Sequence, residues 1–478
     1  MSAIAVAAML CGFTLMLWAQ NEFSSPESIV AAQSTMLTRD GTLYYDLNHY
    51  PYTVCAYMPL FYGLQSGFTQ LGLPAFAAGR LISFTALLSI LVLCWRILML
   101  YTGNRYCAWT GTLLGASSSL LLNWGTTAQV DTLALSFAIA AFYQFSRWAI
   151  RAERRLVWAA ILAILAFFTK QTMLACPVAL FVLLYVRDRR LALRFAAATG
   201  AVVLVLVLGI NTALDGRFLA DTFWANLNPF AMKKINQHVL YLLIAAGQLL
   251  LITAAGASRL WRGRGRELLV YLGLAASVLA VTAPKVGSDS NYQLETTVLL
   301  ILSAGMALHS LDFFPRCFRG SKTWITLLQL PLAVHLILNV RIARNILLDR
   351  IAREQQFRQQ VATLRPFLAD GGRVLSTEGN ALVRIRGGME VEPLIYGLLV
   401  GAGRIDPEPL RRDLAAEAFS TIILLEDLAR PLEPDPEIAT LPQAQRAEIQ
   451  KHYRLVTHIP GPYLGGIYVY KSAGKLAL

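Results

Sequence analysis

SPESIVAAQSTMLTRDGTLYYDLNHYPYTVCAYMPLFYGL, residues 25–64, decides how the rest of this chain is read. It separates an apolar run at the N-terminus from a second run that begins near residue 78. A connection of that length in a compact protein carries function or is disordered. Tyr44, Tyr45, Tyr50, Tyr52 and Tyr57, with Pro51 and Pro59, favour order, because such a composition can pack. The ionisable groups of the stretch include Glu27, Asp40, Asp46 and His49. A carboxylate there could take the proton of a hydroxyl nucleophile, and tyrosine rings could stack on a sugar. The alternative is simple anchoring, since tyrosine also settles at a membrane interface.

Working outward, the 478 residues are 56% hydrophobic and only 15% charged, with a mean hydropathy of +0.51. Soluble domains run nearer ~25% charged, so the composition indicates a polytopic α-helical membrane protein. A net charge of +13 is compatible in principle with nucleic acid or anionic lipid. The basic residues fall mainly in short loops between apolar runs, which is a topology signal and argues against nucleic acid. Cys11, Cys55, Cys94, Cys107, Cys176 and Cys317 show no metal-ligand spacing and no disulfide framework, and no metal or cofactor is expected.

The first apolar run, from Met1 to Trp18, lacks a basic flank and a cleavage site and reads as a span rather than a signal peptide. Further runs lie at 78–101, 107–123, 127–148, 156–169, 171–186, 192–212, 238–256, 267–284, 292–312 and 323–342. Together they suggest about eleven spans. Alternate connections carry Arg105; Arg147, Arg151, Arg154 and Arg155; Arg187, Arg189, Arg190 and Arg194; Arg259, Arg262, Arg264 and Arg266; and Arg316, Arg319 and Lys322. The opposite set is poorer, with Arg39, Arg80, Lys170, Arg217, Lys233, Lys234 and Lys285. The positive-inside rule then puts the first loop, and with an odd span count the C-terminal tail, on the non-cytoplasmic side of a plasma membrane.

Domain boundaries follow the hydropathy. Residues 1–342 form a transmembrane domain whose outer loop, 19–77, is the candidate catalytic loop, and 343–478 form a smaller α/β domain. An amphipathic helix is predicted over 343–365, strands at 373–377, 420–426, 453–459 and 466–471, and helical periodicity near 408–418.

Four connections on the outer face hold the unusual residues. The first has Glu27, Asp46 and His49; the second, NWGTTAQVDTLAL, puts Asp131 in the first turn of a span; the third is Thr169-Lys170-Gln171; the fourth, PKVGSDSNYQLE, brings Lys285, Asp289, Asn291, Tyr292 and Glu295. Each has a plainer reading: a helix N-terminus attracts a carboxylate such as Asp131, and Lys170 can snorkel to the interface. Their gathering on one face suits group transfer from a phosphate-bearing donor, with a carboxylate activating the nucleophile and cations steadying the leaving phosphate. Glu27, Asp46 and Asp131 are thus candidate catalytic carboxylates. Lys170, Lys285 and Arg217 are candidate phosphate-binding cations, and His49, Tyr57, Asn291, Tyr292 and Glu295 candidate substrate contacts.

The segments PESIVAAQSTML, TRDG, LYYD and YMPLFYGL resemble the first outer loop of GT-C membrane glycosyltransferases, in particular the aminoarabinose-transferase-like and protein O-mannosyltransferase-like group. VDTLAL, FFTKQT and GSDSNYQLE are also similar to outer-loop segments of that group. The resemblance implies a GT-C-like fold, a polyprenyl-phosphate sugar donor, a lipid, glycan or protein acceptor, and transfer on the outer face with a loop carboxylate as general base. By position that base falls on Glu27. Better-known members open the motif with Asp-Glu, whereas this chain has Ser25-Pro26-Glu27, so Asp46 stays a substitute. A secondary transporter or lipid flippase is the alternative function; its signature would be an internal repeat with polar groups at midplane.

Overall fold

Apolar runs in lipid satisfy their backbone only within helices or closed barrels, and here they become helices. The structure is a computed structural model that describes residues 2–313, 323–369, 371–430, 440–460 and 466–473. Among the described residues, five helices are long and apolar enough to cross a membrane: Ala75–Thr102, Val130–Arg151, Arg189–Ala213, Met232–Arg262 and Leu327–Leu368. Shorter apolar helices occupy Val6–Trp18, Leu156–Thr169 and Ala175–Arg187. The chain is a multi-pass membrane protein. The expected basic connection with Arg316, Cys317, Arg319 and Lys322 lies outside the described residues.

The chain divides into two compact units. The first comprises Met1–Trp18, Gly79–Leu208 and Phe230–Asp349; the second comprises Ala19–Ala78, Gly209–Pro229 and Arg350–Leu478. The first unit is a helical assembly around one apolar core that includes Phe13, Leu98, Phe142, Leu184, Leu249, Tyr271 and Leu302. Helices Met232–Arg262 and Leu294–Ser310 approach closely where Gly256 faces Ala307: a Cβ on Gly256 would lie 2.5 Å from the Ala307 Cβ. Small residues of this kind let backbones pack where lipid gives no hydrophobic drive.

One sequence expectation needs correction here. The run 107–123 is not a single span but two helices, Arg105–Ser117 and Ser119–Gly125, broken at Ser118 (φ −64°, ψ 114°). The freed backbone groups are supplied from side chains: the Ser118 hydroxyl accepts from the Leu121 N–H, and Asn339 Oδ1 accepts from the Ser119 N–H at 3.0 Å and its hydroxyl at 2.8 Å. A break inside an apolar core stands only with such replacements. A second difference concerns 323–342 and 343–365, read as a span and a separate amphipathic helix. They form one continuous helix, Thr323–Leu368, because no glycine or proline lies between Leu332 and Arg365, across the expected boundary.

In the second unit, Ser24 is extended (φ −156°) and Pro26 occupies the first turn of helix Ser25–Asp40, where a missing N–H costs nothing. That helix stops at Gly41, whose φ of 70° is the left-handed conformation that glycine adopts freely. Pro59 likewise opens helix Pro59–Gln70. A mixed sheet is built from β1 (Val374–Ser376), β2 (Thr421–Leu424), β3 (Tyr453–Ile459) and β4 (Ile467–Ser472) in the order β1-β2-β4-β3. β1 runs parallel to β2, while β4 is antiparallel to both β2 and β3. Loop residue Tyr52 joins this unit by backbone: its N–H donates to the Glu390 carbonyl at 2.9 Å, and its ring meets Tyr396.

Candidate active site

Helix Val130–Arg151 begins from an extended Gln129, and Asp131 falls in its first turn, where the helix dipole favours a carboxylate. Lys170 follows the last residue of helix Leu156–Thr169 and returns its ammonium to Asp131 Oδ1. The side chains are 1% and 0% exposed, so Lys170 does not snorkel to water. Ser290–Gln293 forms a short turn capped by Asp289. That turn delivers the Asn291 amide to Asp131 Oδ1 at 3.1 Å and sets the Tyr292 ring 4.4 Å from the Lys170 ammonium. Asp131 Oδ2 is buried with no hydrogen-bond partner among the described residues. Glu295, in the first turn of Leu294–Ser310, accepts from the Tyr271 hydroxyl at 2.6 Å. Lys285 is held below the usual lysine range by burial and then by the charge of Lys170. Asp131, Lys170, Asn291 and Tyr292 are therefore one cluster, with Lys285 in electrostatic reach.

The same region contains a group that sequence reading missed. Gln293 donates to His238 Nδ1 at 3.1 Å, His238 Nε2 meets the Ser288 hydroxyl at 3.0 Å, and Ser288 donates to the Ala283 carbonyl at 2.6 Å. Lys234 donates to the Ser288 carbonyl, so it is not merely a solvated charge. The available signal was a histidine at the start of an apolar run, which is costly in lipid unless paired.

The loop candidates lie in the second unit. Glu27 is fully buried and accepts the Phe23 N–H at 2.7 Å, close to the N-terminus of its own helix. Asp46 and His49 pair at 2.9 Å with side chains 50% and 77% exposed. The Asn48 N–H and the His49 ring hold the Asp46 carboxyl below its ordinary range. Tyr57 offers its carbonyl to the Tyr44 hydroxyl at 3.0 Å. Arg217 donates to the Leu214 carbonyl and Asp215, local partners on its own turn. Asp221 was not singled out from sequence, yet it is fully buried and accepts the Cys55 N–H at 2.9 Å. Burial pushes its pKa well up, and it fastens the 52–58 stretch.

Chemically, a buried carboxylate fixed by an ammonium and an amide is preorganised, so it stabilises developing charge without reorganising. Among the described residues no group of three or more His, Cys, Asp or Glu side chains is placed to hold a metal.

Residues 56–210 match the family model of dolichyl-phosphate-mannose-protein mannosyltransferases. The chain is similar in structure to ArnT from Cupriavidus metallidurans in its apo state, with a TM-score of 0.65 and 12% identity over 99% of this chain and 98% of that one. The fold is GT-C. ArnT bound to undecaprenyl phosphate gives a TM-score of 0.62 at 13% identity, covering 98% and 97% of the two chains. A third GT-C structure, the apo oligosaccharyltransferase of Archaeoglobus fulgidus, gives 0.53 at 9% identity over 88% of this chain and 69% of that one. No curated protein sequence matches this chain. At these identities the GT-C likeness concerns the fold, and it agrees with the resemblance carried by the first loop.

Proposed function

We propose that this chain is an integral-membrane glycosyltransferase that moves a sugar from a polyprenyl-phosphate-linked donor to a hydroxyl acceptor on the non-cytoplasmic face. The observation that carries this reading is the buried Asp131–Lys170–Asn291–Tyr292 cluster, because ionisable groups at the ends of apolar helices are expensive and functional by default. The match to mannosyltransferases over 56–210 and the likeness to an ArnT that binds undecaprenyl phosphate support the substrate class.

In the proposed step a loop carboxylate takes the acceptor hydroxyl proton as the oxygen attacks the anomeric carbon. The bond from that carbon to the phosphate oxygen breaks, and the polyprenyl phosphate leaves as an anion. Glu27 is the first choice of base and Asp46 the second. Lys170 and Lys285 supply positive charge for the leaving group, with Asp131 fixing where Lys170 sits. Residues 343–478 act as the non-cytoplasmic domain in this reading. The test is transfer of radiolabelled sugar from a polyprenyl-phosphate donor in membranes containing the chain. Transfer that is abolished when Asp131, Glu27 and Asp46 are replaced by their amides supports the assignment; full transfer in all three variants overturns it.

A further inference from the structure

The second unit holds a cavity of about 220 Å³ lined in part by Pro26 and Ser28, the residues on either side of Glu27. Counting ~30 Å³ per water, it has room for roughly seven waters or one small organic molecule. Three helices of eight residues or more start at its wall: Ser25–Asp40, Gly379–Arg386 and Pro393–Gly401. Their N-termini are already occupied by carboxylates of the chain. Glu378 accepts the Ala381 N–H at 2.9 Å, and Glu392 accepts the Ile395 N–H at 2.6 Å. Glu27 sits in the first turn of Ser25–Asp40. An external anion would therefore find a carboxyl group of the chain already at every positive helix end.

Glu22 differs from these. It lines the same cavity and belongs to no helix. Its carboxyl is hydrogen-bonded with Ser28, but its Oε2 is buried and without a hydrogen-bond partner. A buried acceptor left unmade costs free energy that a donor on a ligand would recover. Apolar side chains including Phe357, Met389 and Ile467 form much of the remaining wall. A cavity wall that holds both an aromatic ring and a carboxyl group suits a cation that carries hydrocarbon.

We propose that this cavity is a binding site for a small organic ammonium ion, with its N–H groups on Glu22 and its hydrocarbon against Phe357, Met389 and Ile467. The charged groups facing Glu22 are Glu27 and Glu378, with Glu392 and Arg353 on the cavity wall and Arg384 beside Glu378. Burial, followed by the charge of Glu378, holds the Glu22 carboxyl well above its ordinary range. The proposal rests on the cavity and Glu22 and holds whether Glu27 or Asp46 is the base of the transfer reaction.

Calorimetry on the full chain in detergent, with cyclohexylammonium as probe, tests the proposal. Saturable binding is expected, and cyclohexanol is expected to bind at least tenfold more weakly. Glu22→Gln, which keeps size and removes the charge, weakens the ammonium about tenfold. Phe357→Leu, on the wall of the cavity, weakens it several-fold and serves where Glu22→Gln does not fold. Competition by a phospholipid with an ethanolamine headgroup assigns the ammonium to a lipid, and no competition assigns it to a soluble amine; both keep the site. No saturable binding by the unaltered chain, equal binding of cyclohexanol, or unchanged affinity in both variants overturns it.

Discussion

Asn291 donates its side-chain amide to Asp131 across 160 residues of chain, at 3.1 Å and out of contact with water. The two residues come from different connections, and Lys170 from a third completes the arrangement. Three distant segments thus agree on the position of one carboxylate.

Asp131→Ala removes the counter-ion of a fully buried ammonium. Breaking such a pair costs about 3–5 kcal/mol, far more than the intact pair contributes. Asp131→Ala should lower thermal stability in detergent sharply, and Asp131→Ala with Lys170→Met should recover most of the loss. A double variant no more stable than the single would show that Lys170 is not stranded when Asp131 goes.

Glu27→Gln keeps an oxygen for the Phe23 N–H while removing the base. If Glu27 is the base, turnover falls by ~10²–10⁴-fold with donor binding little changed. Full turnover in this variant moves the assignment to Asp46, whose exposed pair with His49 would then be the base.

Lys285→Ala removes a cation that burial and Lys170 already make easier to deprotonate. Donor binding and turnover should fall together, since the group meets phosphate in ground and transition states alike. Loss of turnover alone would instead mark a role confined to the transition state.

Glu392 supplies a pH test. Burial lifts its folded-state pKa to about 7 from an ordinary 4.5. The folded state holds the proton more tightly, so this contribution is complete below about pH 4.5 and is lost as pH rises toward 7. The difference corresponds to about 3 kcal/mol. Glu392→Gln still offers an oxygen to the Ile395 N–H but no longer titrates, so its stability should vary less between those pH values. An unaltered pH profile would contradict the burial account.

Topology can be read by thiol labelling in a Cys11→Ser background. Ala402→Cys, exposed in the second unit, should react with a membrane-impermeant reagent added outside. Arg262→Cys, exposed at the C-terminal end of helix Met232–Arg262 in the first unit, should react only after permeabilisation. The reverse pattern would invert the orientation.

The limits of the sequence are physical. Strand β3 was legible to the residue, because YRLVTHI combines β-branched and aromatic side chains. The strands β1 and β2 came out shorter than the runs that announced them. Helices Gly379–Arg386, Pro393–Gly401 and Gln443–His452 were not read, being too short for a clear period. The break at Ser118 was invisible, since the side chain that makes it tolerable, Asn339, lies far along the chain. Asp131 and Lys170 stood out because charge is rare in apolar surroundings. Glu22 and Asp221 did not, because nothing in a polar connection tells a buried carboxylate from a solvated one.

The second unit joins residues 19–78 to residues beyond Arg350. A ribosome therefore releases the loop long before it makes the partners that Tyr52 finds at Glu390 and Tyr396. Until then the loop waits with its apolar side chains unmatched. Misfolding lesions in the C-terminal residues should accordingly surface as protease sensitivity near the N-terminus, and the first connection to be synthesised is among the last to mature.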